Sequence, residues 1–267
     1  MNGYLKLMPG ALAVLAYALA ALRLDDTQRW PRSALVAGWL AHAVSIVVDV
    51  AGWGSGIDGA RFGFAPALSA TVWLVIGVYA VESRFVPLPH VRRTLALLGG
   101  AVVALAAAFP GEFRPNTATP WAPLHWIIGI ASYGLFGAAV LHAVLLSAAD
   151  RRLRQHAGAP ASPVPSGMPL LRLERLTFRF VGAGFAVLSI AIVLGWTATD
   201  TWRWDHKTVF SILGWLVFAG LMAGRRFFGW RGRRATRWVY AGAVLLLLAY
   251  VGSHFVLEVL LHRAGPA

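Results

Sequence analysis

Cysteine is absent from the 267 residues of the chain. This excludes disulfides, thiolate metal sites, CxxC redox pairs and CxxCH-type covalent attachment of heme, so any thiol chemistry must come from a partner. Charge is scarce too: 13% of residues are Asp, Glu, Lys or Arg against 58% hydrophobic, with a mean hydropathy of +0.64. A soluble globular domain carries about 25% charged residues, so this balance excludes a water-facing fold and makes the lipid bilayer the solvent. Acidic residues are the scarcest charges, 11 against 24 basic ones, giving a net charge of +13. The basic residues lie in the gaps between apolar stretches and build neither a basic helix nor an aromatic-basic sheet. We therefore expect no nucleic-acid partner and read the charge as membrane topology.

Crossing a hydrocarbon core of about 30 Å takes about 20 helical residues. Stretches near 5–22, 34–53, 66–83, 94–110, 121–147, 176–197, 207–224 and 236–261 meet that demand. The expected fold class is all-α: a polytopic integral membrane bundle of about eight transmembrane helices, forming a single domain over residues 1–267. Leu5–Leu22 contains Ala18-Leu19-Ala20, which resembles a cleavage site, but its apolar run is longer than that of a signal peptide and only Lys6 supplies a basic flank. It reads as a retained helix. The fourth stretch, rich in Ala and Gly, is the weakest. Gly54–Phe64 reads as a tight turn or re-entrant stretch, and Ala157–Pro169 as a disordered linker.

Orientation follows from the basic residues. The connections after the first, third, fifth and seventh stretches hold 18 of the 24, from Arg23 to Arg237, and the other side holds Lys6, Arg61, Arg114, Arg203, Lys207 and Arg263. The positive-inside rule makes the first set cytoplasmic and places both termini outside. The expected location is the bacterial cytoplasmic (inner) membrane, with multiple passes.

With that orientation the outer side receives Trp121, His125 and Trp126, then the run Thr201-Trp202-Arg203-Trp204-Asp205-His206-Lys207, then His254 and Glu258. His42 lies near the middle of the second stretch, and Asp49 is seven residues on, along the same helical face. An imidazole in a lipid-embedded helix is costly and usually faces the bundle interior, so His42, His125 and His254 are candidate functional residues. A lone interfacial histidine often does no more than hydrogen-bond a backbone carbonyl; two at the same depth are a less casual coincidence. Neutral imidazole is a common ligand of heme iron, and two facing imidazoles can grip a porphyrin from both sides. Trp30, Trp53, Trp230 and Trp238 need only an interfacial anchoring role. Trp202 and Trp204, crowded beside Asp205 and His206, are placed to line a flat apolar ligand. Tyr250, His254 and Glu258, at i, i+4 and i+8, form a polar stripe on which Glu258 either orients the imidazole or marks a solvated helix end. His90, His142 and His156 share no evident site.

Trp202-x-Trp204-Asp205-x-Lys207, followed by Trp215, resembles the Trp-rich WWD segment of the cytochrome c assembly family, the CcsA/CcmC type of heme-handling membrane proteins, and most closely its shorter YpjD-like and HemX-like branch. Leu124-His125-Trp126, leading to Tyr133, is similar to the family's first external histidine, Tyr250-Val251-Gly252-Ser253-His254 to its second, and Trp39-Leu40-Ala41-His42 to its intramembrane one. The resemblance spans nearly the whole chain. It implies b-type heme, bound non-covalently at the outer membrane face, with His125 and His254 as axial iron ligands. Trp202, Trp204, Asp205 and His206 would lie against the porphyrin, with His42 within the membrane. His206 stands where the family has Pro and Thr208 where it has Glu, and Ala223 and Gly224 occupy the place of a second intramembrane histidine. External heme binding is therefore expected, and relay between two internal ligands is not.

The leading expectation is a heme-holding assembly factor, without catalytic residues of its own, whose partners would be the lipid bilayer, other cytochrome c biogenesis proteins and apocytochrome c. The alternatives are a non-enzymatic scaffold or regulator of a partner membrane protein, as in the HemX-like branch, and a small-ion or metabolite transporter using His42 and Asp49.

Overall fold

The computed structural model describes residues 3–22, 30–50, 59–85, 88–115, 122–155, 169–197, 204–252 and 255–256. Over these, each expected stretch coincides with a helix: α1 (Gly3–Ala21), α2 (Trp30–Val50), α3 (Phe64–Glu82), α4 (Pro89–Ala108), α5 (Ala122–Gln155), α6 (Leu170–Thr197), α7 (His206–Phe228) and α8 (Gly232–Leu247), which runs into a π turn at Leu248–Gly252. Seven are long and apolar enough to cross a membrane, and the described apolar part of α1, Leu7–Ala21, is shorter. The helical membrane class therefore holds. It is joined by one small addition: β1 (Gly59–Phe62), within the stretch expected to turn or re-enter, pairs antiparallel with β2 (Glu112–Pro115), Arg61 opposite Phe113.

The helices fall into two compact units, one of residues 1–120 and 250–267, the other of residues 121–249. In the first, Tyr17 of α1 is fully buried. A Cβ on Gly38 of α2 or Gly99 of α4 would come within 2.8 or 2.9 Å of its ring. Two glycines thus let three backbones close on one phenol, the small-residue packing that replaces hydrophobic collapse in a lipid solvent. Between α2 and α3 the indoles of Trp39 and Trp73 stack at 5.0 Å, 3° from parallel, and each Nε1–H donates to the other residue's carbonyl at 3.0 Å.

In the second unit Phe136 of α5 stacks on Phe218 of α7 at 4.0 Å. Gly184 of α6 backs the first ring and Gly242 of α8 the second, where an added Cβ would come within 3.0 and 2.6 Å. Four helices therefore meet through one aromatic pair held between two glycines. The polar ends of α5 and α6 run beyond the apolar stretches. Asp150 pairs with Arg154 at 3.1 Å and with Arg233 at 3.6 Å, while Glu174 pairs with Arg231 at 3.6 Å and Arg225 at 3.9 Å. α7 ends at Gly229, whose φ of 63° is the left-handed cap that favours glycine.

Candidate functional site

His125 lies in the first turn of α5 and faces the last two turns of α6. Its Nδ1 is 2.9 Å from the Ala191 carbonyl oxygen. A carbonyl can only accept, so Nδ1 carries the hydrogen and Nε2 keeps its lone pair. Gly195, one turn beyond Ala191, makes the room: a Cβ there would stand 3.0 Å from His125 Cε1. The imidazole is half-buried and fixed in tautomer and orientation, as metal-bound histidines are when a backbone carbonyl holds the second nitrogen.

α7 begins beside this feature. Asp205 is its N-cap, its carboxylate accepting the Thr208 amide at 2.7 Å, so this residue of the Trp-rich run has a structural duty. His206 and Lys207 occupy the exposed first turn, and the Lys207 ammonium is close enough to act electrostatically on His125. Trp204 is 72% exposed just before the cap, and Trp196, in the last turn of α6, is 65% exposed. Trp204 stands out in the sequence by its place in the Trp-rich run, whereas Trp196 carries only the weaker mark of an indole next to Gly195 at a helix end. Trp202, His254 and Glu258 lie outside the described residues.

Two other landmarks of the motif take packing roles. Trp215 stacks on Phe185 at 5.3 Å and donates its Nε1–H to Ser189 Oγ at 2.8 Å, tying α7 to α6. The Tyr133 hydroxyl donates to the Leu246 carbonyl at 2.7 Å, two residues before the π turn. A change from α to π pairing disturbs the backbone ladder at such a junction, and in lipid a disturbed carbonyl needs a partner from a side chain. Tyr250 lies within this π turn, and the other two members of the expected polar stripe, His254 and Glu258, lie outside the described residues.

His42 is completely buried, and both its nitrogens are engaged: Nδ1 with Tyr17 Oη at 3.1 Å and Nε2 with Ser69 Oγ at 2.7 Å. One turn along α2, the Ser45 hydroxyl donates to Asp49 Oδ2 at 3.3 Å. Nothing local to Tyr17 or Ser69 in the sequence marks either as a histidine partner. His142 is likewise buried, its Nδ1–H donating to the Ala138 carbonyl at 2.7 Å and its ring stacked on Phe180 at 5.1 Å.

Residues 30–261 match the family described as cytochrome C assembly protein. The chain belongs to that family. It is 28% identical over 262 residues to the inner membrane protein YpjD of Escherichia coli (strain K12), covering 93% of this chain and 97% of that protein. It is 34% identical over 108 residues to the cytochrome c biogenesis protein CcsA of Synechococcus sp. (strain JA-3-3Ab), covering 36% of this chain and 31% of that protein. With CcsA of Guillardia theta it is 26% identical over 238 residues, 70% of this chain and 79% of that one. No solved structure matches the chain. It is a multi-pass protein of the inner membrane.

Proposed function

We propose that this protein serves cytochrome c biogenesis by holding or presenting non-covalent heme at the outer face of the cytoplasmic membrane. The observation that carries the reading is His125, whose Nδ1 is committed to the Ala191 carbonyl and whose Nε2 retains a lone pair. That is the arrangement an axial ligand needs. His254 is the second ligand in this proposal, and Trp202, Trp204 and His206 lie against the porphyrin, with Asp205 holding the start of α7 in place. Heme, when bound, supplies the group that is passed to an apocytochrome; this chain's residues bind it, orient it and shield one face from water. Apocytochrome and other biogenesis proteins are the partners, since the thiols that accept heme cannot come from a chain without cysteine. His42 takes part as an intramembrane ligand only by exchanging Tyr17 or Ser69 for iron, because both hydroxyls now occupy its nitrogens.

The test is the visible spectrum of the detergent-purified protein, with and without added hemin. We expect a Soret band that His125→Ala and His254→Ala each weaken by at least tenfold in apparent heme affinity, while His90→Ala, on the exposed start of α4, leaves it unchanged. Equal heme binding by all three variants would remove the ligand assignment. A colourless protein that binds no hemin and still retains a membrane partner would favour the scaffold reading.

A further inference from the structure

A second site lies in the first unit, and none of its lining residues is among those proposed to hold heme. The start of α2, the end of α3 and the start of α4 enclose an open groove of about 430 Å³. Its rim carries Arg32, Arg84 and Arg92 together with the hydroxyl-bearing Ser83, and none of its lining residues is acidic. Arg92 is only 7% exposed, and its Nε is buried with no hydrogen-bond partner among the described residues. A guanidinium so placed is incomplete, because a buried donor without an acceptor is costly and a buried charge without a counter-ion more so. The backbone that carries it is tied to α3: the Leu88 carbonyl accepts both the Arg92 amide at 3.0 Å and the Tyr79 hydroxyl at 2.8 Å. The α4 N-terminus, with Pro89 at its first turn, adds its partial positive charge to the same end.

Apart from Ser33 and Tyr79, the rest of the groove is lined by aliphatic side chains. Arg32, Val36 and Leu40 follow one another at i, i+4 and i+8 along α2, and Val36 and Leu40 are exposed. One helical face therefore runs from a cationic head to an aliphatic track, with Val44, also exposed, continuing it. A free phosphate would use the head and ignore the track. An anionic phospholipid uses both, with its phosphate among the guanidiniums and its acyl chain along α2. A zwitterionic lipid would bring an ammonium to a rim that already holds three cations. The asymmetry of basic residues along the chain assigns this end to the cytoplasmic leaflet, where anionic headgroups are drawn to basic pockets between helices. We infer that the α2–α3–α4 groove is a binding site for the headgroup phosphate and proximal acyl chain of an anionic phospholipid.

Native mass spectrometry of the full chain, exchanged into detergent with equal phosphatidylglycerol and phosphatidylcholine, tests this. Phosphatidylglycerol should be retained in preference. Arg32→Gln with Arg84→Gln should lower its affinity about 25-fold, at about fivefold for each basic residue near an anionic lipid surface. This pair is exposed and leaves the buried Arg92 in place, so the fold should survive; circular dichroism checks that. Arg151→Gln with Arg154→Gln removes the same charge from the exposed end of α5 and should change nothing. Three results would each overturn the inference: equal retention of the two lipids, an equal loss in the α5 pair, or displacement of the lipid by millimolar inorganic phosphate with the same arginine dependence, which would make the site one for a free anion.

Discussion

Gly195→Ala is the sharpest test of how His125 is held. The added Cβ would stand 3.0 Å from His125 Cε1 and 3.5 Å from its Nδ1. Ordinary contact between carbons begins near 3.5 Å, so the ring must retreat by about half an ångström. The bond from Nδ1 to the Ala191 carbonyl, now 2.9 Å, then stretches toward the limit at which it still counts as one. Loss of an orienting partner typically costs a metal-bound histidine about 10–100-fold in affinity, which is about 1.4–2.7 kcal/mol. The lower end is expected for Ala, which the ring can partly evade, and the upper end for Gly195→Val. Fold stability should move the other way for Ala, because replacing a helical glycine by alanine gains about 1 kcal/mol in propensity. Hemin titration followed at the Soret band, beside a thermal melt of the same preparation, reads both quantities. Gly129→Ala is the control, since a Cβ at Gly129, one turn along α5 from His125, would meet nothing within 4 Å. Unchanged heme affinity in Gly195→Val, or an equal drop in Gly129→Ala, would refute the argument.

Gly242→Ala pushes a methyl to 2.6 Å from the Phe218 ring, which Phe136 and Gly184 block from behind. Overpacking of that kind costs about 1–3 kcal/mol, and Phe218→Leu in the same chain should recover part of it in a detergent melt. Tyr17→Phe leaves His42 Nδ1 buried without its hydroxyl partner. The expected loss is about 1–3 kcal/mol, read by the same melt, and a melt unchanged from the parent would mean that another group takes the nitrogen. Asp205→Ala removes the cap of α7 and should cost about 1 kcal/mol. Faster amide exchange confined to the first turn of α7 is the accompanying signature, and protection equal to the parent would deny the cap its role.

The spans were legible because a bilayer imposes one length on every helix that crosses it, and eight apolar runs of that length stand out from the chain. Their ends were not, where helix continues into water: hydropathy stops at Ser147, whereas α5 proceeds to Gln155 on an Asp150–Arg154 pair that reads as loop composition. Asp205, one turn ahead of the apolar run that opens at Val209, marks a helix start as well as belonging to the Trp-rich motif. The environments of His125 and His42 were beyond reach for a different reason. The Ala191 carbonyl is 66 residues from His125, and the hydroxyls of Tyr17 and Ser69 are 25 and 27 from His42. No periodicity connects such partners; only packing does. The π turn at Leu248–Gly252 is of the same sort, since nothing in Leu-Ala-Tyr-Val-Gly separates π from α pairing.

The reciprocal pair of Trp39 and Trp73 fixes more than two side chains. Sliding α2 against α3 by a single residue would break both indole bonds together, so the two helices behave as one rigid plank. Ser69 and His42 ride on that plank and keep their spacing whatever the surroundings do. Tyr17 arrives on α1, outside it. Release of His42 Nδ1 therefore requires α1 and α2 to part around Gly38, and reagents that lock α1 to α2 should hold that hydrogen bond in place.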